Sequence, residues 1–187
     1  MDERQRVRIS KFLSKHLRHA PDAIGITLDA AGWTDIDALL AACRAHGVTL
    51  DRAGLDEIVA TSSKRRFAID DTGRRIRANQ GHSVPVELGL PVLDPPAVLY
   101  HGTGAGTVAA ILREGLRPMA RHAVHLSPDV ATATAVGARH GRPIVLVVDA
   151  AGMVAVGYQF ARSDNGVWLV DAVPPMFLRV HGHAEAQ

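Results

Sequence analysis

Between Arg4 and His19 the apolar positions Ile9, Phe12, Leu13 and Leu17 recur at helical spacing, with Arg8, Lys11, Lys15 and Arg18 along another face. This pattern predicts a helix that packs on one side and shows a basic stripe on the other. Pro21 disfavours helical geometry at Ala20, so the helix should end there and leave Arg18 and His19 near its exposed end. Cations at that position also suit the negative pole of the helix dipole, which makes C-capping the plainest role for the pair.

The pattern then changes. GITLDAAGW reads as a strand and turn, and TDIDALLAACRAHG as a helix with Thr34 or Asp35 at its N-cap and Gly47 at its end. A third helix is expected from about Asp51 to Ala60, with Leu55, Ile58 and Val59 facing inward. RFAID, the turn Asp70-Asp71-Thr72-Gly73 and RRIRAN complete a hairpin. Helices followed by a basic two-stranded hairpin describe a winged-helix lobe over residues 1–80. The proline-rich stretch 81–97 reads as a crossing to a second lobe, 98–187.

In that second lobe VLYHGT reads as a short strand running into a glycine turn, followed by a helix from about Thr107 to Glu114 closed by Gly115. DVATATAVGARHG reads as a second helix and PIVLVVDA as a buried strand. A hairpin turning at Asn165-Gly166 and a last strand, FLRV, complete the lobe. Many short strands with two clear helices predict a mixed, largely antiparallel sheet, and the whole chain is expected to be α+β. The tail HGHAEAQ, with His181 and His183, reads as frayed and solvent-exposed.

Composition narrows the function classes without naming one. An apolar share of 47% and a charged share of 21% are ordinary for a soluble globular protein. No apolar run reaches spanning length and the N-terminus lacks a signal-peptide core, so cytoplasmic residence with no membrane partner is expected. Cys43, the only cysteine, excludes an internal disulfide and reads as a buried, inert thiol. The net charge of +2 hides a net +3 in residues 1–80. Lys64, Arg65, Arg66, Arg74, Arg75 and Arg77 crowd into 14 residues whose only acids are Asp70 and Asp71, a patch that suits a polyanion or a merely solvated hairpin.

The candidate chemistry is sorted by what the spacing lacks. GTGAGT resembles a dinucleotide-binding turn, but the third glycine position is Thr107 and no acidic residue ends a second strand at the expected distance. His101, His122 and His125 invite a zinc site, yet no H-E-x-x-H helix is present, and no metal is expected. No G-x-S-x-G elbow supports a serine hydrolase.

Taken in order, SKFLSKHLRHAP, KRRF, IRANQGHS, YHGT and GLRPMARHAVHLS resemble the motifs of the RNA 2'-phosphotransferases, the tRNA-splicing type of enzyme that uses NAD+. The resemblance runs from about Ser10 to Leu178. It implies a winged-helix RNA lobe joined to an ADP-ribosyltransferase-like lobe, with NAD+ and an RNA carrying an internal 2'-phosphate meeting in the cleft. The implied reaction passes the 2'-phosphate to NAD+ through an ADP-ribosylated RNA phosphate. Its products are nicotinamide, 2'-hydroxyl RNA and ADP-ribose 1'',2''-cyclic phosphate, and no obligate protein partner is needed.

By motif, the resemblance assigns catalysis to Arg18, His19, Arg66 and Arg121. Three forked guanidiniums suit a phosphate whose charge grows in the transition state, and a histidine suits protonation of the departing RNA 2'-oxygen. It assigns NAD binding to His101, Gly102, Thr103, His125 and Ser127. RNA contacts are expected from Lys11, Lys15, Lys64, Arg65, Gln80, Gly81, His82 and Ser83. Where the family often reads H-V-H, this chain reads Ala123-Val124-His125. Glu87, Glu114 and Glu185 stand in no motif corresponding to the glutamate of typical protein ADP-ribosyltransferases. Two other readings stay open: an ADP-ribosyltransferase acting on nucleic-acid phosphate ends or small phosphorylated acceptors, and a non-catalytic nucleic-acid-binding regulator.

Overall fold

A computed structural model describes residues 1–62 and 64–182, and the chain divides after Gly89 into two units. In the first, helix α1 (Glu3–His16) starts where the Asp2 carboxylate accepts the Gln5 N–H at 2.7 Å. It ends at His16, with Leu17 as its cap, earlier than Pro21 alone suggested. Arg18 and His19 therefore lie in the following turn, closed by the His19 N–H on the Lys15 carbonyl at 2.9 Å.

Residues 25–33 form a loop rather than the expected strand. The Asp29 carboxylate accepts the N–H groups of Ala31 and Trp33, both at 2.9 Å, and so takes backbone donors a sheet would have needed. The strand comes later and is short, β1 (Thr34–Asp35). Helices α2 (Ile36–Ala45) and α3 (Arg52–Thr61) follow, each started by an aspartate side chain, Asp35 on the Ala38 N–H and Asp51 on the Gly54 N–H. Gly47 takes the positive φ of 71° that follows α2.

Strands β2 (Phe67–Ile69) and β3 (Arg75–Ala78) make the predicted hairpin, and β1 adds to β3, so the order is β1-β3-β2, all antiparallel. The helices close over a core that includes Leu13, Leu17, Leu39, Leu55, Phe67 and Ile76. Each such side chain contributes about 1.5–3 kcal/mol through burial. Cys43 lies in this core, and burial pushes its thiol pKa up, as an inert cysteine requires.

The second unit holds β4 (Val98–Gly104), α4 (Val108–Glu114), β5 (Val124–Leu126), α5 (Val130–Gly137), β6 (Pro143–Asp149) and α6 (Ala150–Ala155). Strands β7 (Ala161–Arg162), β8 (Trp168–Val170) and β9 (Leu178–Val180) complete it. Two three-stranded sheets result, β4-β6-β9 and β5-β8-β7, in which every described pairing is antiparallel, where the sequence suggested one mixed sheet. Paired backbone hydrogen bonds between Tyr100 and Ser127 tie β4 to the end of β5.

Two further corrections concern this unit. His101, Gly102 and Thr103 are not in a turn: β4 pairs with β6 along its whole length, from Val98 opposite Asp149 to Gly104 opposite Pro143. The short helix α6 was not anticipated. It is started by the Asp149 carboxylate, which accepts the Gly152 N–H at 2.9 Å. His181 is described and stands edge-on to the Tyr100 ring at 6.0 Å, whereas His183 and Glu185 lie outside the described residues. No described helix is long and apolar enough to cross a membrane.

Candidate active site

Part of the basic stripe of α1 and the turn before β2 meet at one groove. It encloses about 390 Å³ and is lined by Lys11, Ser14 and Arg18 from α1 and its end, by Ile58, Thr61 and Ser62 from α3 and its end, and by Arg66. Further along α1 its lining includes Arg6, which pairs with Glu57 of α3 at 3.5 Å. Arg66 is set by its backbone, because its carbonyl accepts the Asn79 N–H at 2.9 Å at the close of β3. The Asn79 side chain holds the preceding carbonyl, that of Arg65, at 2.6 Å. Arg18, Arg66 and Lys11, at the far end from Glu3 and the Arg6–Glu57 pair in the order of the chain along α1, give charge-assisted donors, two of them forked, for an anion with several oxygens.

The segment Gly81–Ser83 docks on the Arg18-His19 turn. The Ser83 N–H donates to the Arg18 carbonyl at 2.9 Å, and Ser83 Oγ lies 2.9 Å from His19 Nδ1. Gly81, at φ 85°, lies against the Arg18 side chain: a Cβ built there would be 3.9 Å from Arg18 Cδ and Nη1. His82 is only 2% exposed and sits beneath Gly32, whose own Cβ would come within 3.4 Å of the ring. Its place is thus inside the unit, as an anchor for the segment.

The remaining cations divide. Lys15, Lys64 and Arg65 are exposed and do not line the groove among its described residues, and Gln80 is half-buried. Arg75 and Arg77 have structural work in the hairpin. Their guanidiniums lie 5.5 and 4.6 Å from the Trp33 ring centre. Arg75 also pairs with Asp70 at 2.9 Å, and Arg77 donates to the carbonyls of Ala31 and Leu88. The Arg75 guanidinium, helped by the Thr72 hydroxyl and the N–H groups of Arg74 and Arg75, holds the Asp70 carboxyl well below the usual carboxylate range. The basic patch of the sequence is therefore partly consumed by its own fold.

In the second unit His101 Nδ1–H donates to the His125 carbonyl at 3.1 Å, across the gap between β4 and β5. Burial pushes the His101 pKa down; the His125 carbonyl opposes this, and the charges of Arg121 and His140 add to it. The ring is thus held neutral with Nε2 as its acceptor. Arg121 itself is exposed, in a turn where its N–H donates to the Pro118 carbonyl at 3.0 Å after Met119 takes a positive φ of 57°. His140, which sequence reasoning passed over, contributes to the same electrostatic environment. Only its position at the end of ARHG could have drawn notice.

Gly102 and Thr103 have other partners. A Cβ at Gly102 would fall 1.7 Å from the Ala133 carbonyl oxygen of α5, and one at Gly104 would fall 2.2 Å from the His140 carbonyl oxygen. These glycines let helix backbone press onto the strand. The Thr103 hydroxyl is 2.7 Å from that of Thr107, which donates to the Gly104 carbonyl. The neutral His101 imidazole leaves an acceptor nitrogen of the kind that could take a sugar hydroxyl. Among the described residues no group of three or more His, Cys, Asp or Glu side chains is placed to hold a metal.

Comparison with known proteins places the chain among its relatives. Residues 4–172 match the model of the RNA 2'-phosphotransferase, Tpt1 / KptA family. A probable RNA 2'-phosphotransferase of Streptomyces griseus is 58% identical over 97% of this chain and 100% of its own length. One of Streptomyces coelicolor is 59% identical over 96% of this chain and 97% of its own. One of Herpetosiphon aurantiacus is 53% identical over 95% and 98%.

Proposed function

Because the chain belongs to the RNA 2'-phosphotransferase family, and is thereby a transferase, we propose that it passes an internal RNA 2'-phosphate to NAD+ through the groove of Arg18 and Arg66. The observation that carries this reading is their convergence on one groove, with Gly81–Ser83 docked on the neighbouring His19. In the first step a phosphate oxygen bonds to C1'' of the nicotinamide ribose as the bond to nicotinamide breaks, and nicotinamide leaves with the electron pair. The phosphate monoester is largely dianionic at neutral pH and needs no strong base. In the second step the ribose 2''-oxygen bonds to phosphorus, its proton passing to solvent. The bond to the RNA 2'-oxygen breaks, and His19 gives that oxygen its proton.

Arg18 and Arg66 hold the phosphate, and Arg121 supplies a third guanidinium against the growing charge. Neutral His101 accepts a ribose hydroxyl of NAD+ at Nε2, with Ser127 and His125 beside it. Residues 1–80 serve as a winged-helix RNA lobe, 81–97 as the crossing and 98–187 as an ADP-ribosyltransferase-like lobe. The protein works in the cytoplasm, without a metal or an obligate protein partner.

The test combines purified protein, NAD+ and a short RNA with an internal 2'-phosphate, in a chelator. The expected products are 2'-hydroxyl RNA, nicotinamide and ADP-ribose 1'',2''-cyclic phosphate. RNA that stays phosphorylated with no nicotinamide released would refute the reading. Nicotinamide release that stops at a stable ADP-ribosylated phosphate would favour an ADP-ribosyltransferase instead.

A further inference from the structure

On the reading that His19 protonates the departing RNA 2'-oxygen, we infer that Ser83 is a positioning residue that selects which nitrogen of His19 delivers the proton. Ser83 grips the Arg18-His19 turn at two points, its N–H on the Arg18 carbonyl and its Oγ beside His19 Nδ1, each at 2.9 Å. The first contact fixes the backbone at the pair and the second fixes the ring. Sixty-four residues of chain separate His19 from Ser83, so the contact is made by the fold and not by local sequence.

The chemistry of imidazole gives the contact its consequence. An imidazolium carries hydrogen on both nitrogens, so with Nδ1–H donating to Ser83 Oγ the nitrogen that hands a proton to the substrate is Nε2. Once Nε2 has given up its proton, the neutral ring that remains is the Nδ1–H tautomer, already bonded to the same oxygen. One hydroxyl thus serves the acid before transfer and its conjugate base after it, with no ring flip between.

The segment that carries Ser83 is built to hold still. Gly81 takes φ 85° against the Arg18 side chain, and His82 is buried beneath Gly32, so the residue before Ser83 is anchored inside the unit. Ser83 itself is exposed beside His19, so its removal leaves no cavity in the core. An orienting group held by a supporting shell is what a proton donor needs to keep its geometry through turnover.

The inference is tested with Ser83→Ala and Ser83→Thr beside His19→Ala, in single-turnover assays that resolve nicotinamide release from loss of the RNA phosphate. Ser83→Ala should slow the second step on the order of tenfold more than the first, so that the ADP-ribosylated RNA accumulates. Ser83→Thr, which keeps a hydroxyl at the same atom, should restore the second step. Nitrogen-15 NMR of the protonated His19 ring, without substrates, should show an Nδ1–H that exchanges slowly with solvent in wild type and faster in Ser83→Ala. Unchanged Nδ1–H exchange, or equal slowing of both steps, overturns the inference. If His19→Ala also fails to accumulate the intermediate, the assignment of the proton to His19 has failed, and the inference falls with it. If His19→Ala does accumulate it and Ser83→Ala does not, only the role of Ser83 is lost.

Discussion

Gly102 offers the sharpest separation of a packing role from a ligand role, because the motif resemblance places it at NAD+ and the structure places it under α5. A Cβ added there would lie 1.7 Å from the Ala133 carbonyl oxygen, 2.6 Å from its carbon and 2.9 Å from the Gly137 nitrogen. All three neighbours are backbone, so no side chain can swing aside. Restoring ordinary contact requires α5 to move about 1.5 Å off β4, and overpacking of this kind costs roughly 1–3 kcal/mol, or more where the obstacle is rigid. We expect Gly102→Ala to sit at the upper end, about 3 kcal/mol. In a unit of this size each kcal/mol lowers Tm by roughly 4–8 °C, so the transition should fall by about 12 °C or more. Circular dichroism melts, with calorimetry to assign the transition, read this directly. Gly106→Ala is the control, since nothing lies within 4 Å of its built Cβ, and its Tm should barely move. If Gly102→Ala melts within about 2 °C of wild type yet no longer binds NAD+, the packing argument is wrong and the glycine serves the cofactor.

Three further outcomes follow from the geometry. The lowered pKa of His101 means the unfolded chain binds its proton first as pH falls; its contribution to stability is complete above about pH 6.5 and is lost below that, while NMR should show the ring still neutral where free histidine is charged. Asp70, depressed by Arg75, stabilises the hairpin at pH values above the ordinary aspartate range near 4, so Asp70→Asn should lower Tm at pH 7 and make no difference in strong acid, a convergence that pH-dependent melts would check. Among the described residues the buried hydroxyls of Ser14 and Ser62 have no hydrogen-bond partner, so Ser14→Ala and Ser62→Ala should leave Tm unchanged or raise it, and a clear fall would show that these oxygens are satisfied after all.

What could be read from the sequence was what is decided locally. Asp35 and Asp51 announce α2 and α3 because a cap satisfies donors only two or three residues away, and Asp70-Gly73 announces its hairpin for a similar reason. What misled was glycine whose cause lies elsewhere in the chain. Gly102 and Gly104 suggest a turn if glycine is taken to mean positive φ, yet neither takes one. Their partners are Ala133 and His140, some thirty residues on, and no local pattern carries that information. Gly152 has a comparable cause, since a Cβ there would strike the Asp149 carboxylate that starts α6.

The candidate site divides along the same line. Residue type and motif order point to Arg18, His19 and Arg66, since phosphate chemistry demands those side chains wherever they fold. They cannot say which neighbouring cations face a ligand and which hold the scaffold. Arg75 and Arg77 look like part of one polyanion patch with Arg66, but Trp33 lies under both, and an indole face with carbonyl and carboxylate partners satisfies a guanidinium without any RNA. The hairpin therefore has fewer cations to offer a ligand than its sequence suggests. Removing Arg77 should accordingly unsettle the hairpin before it weakens anion binding, whereas removing Arg66 should do the reverse, a contrast that melts and RNA titrations on the two variants would expose.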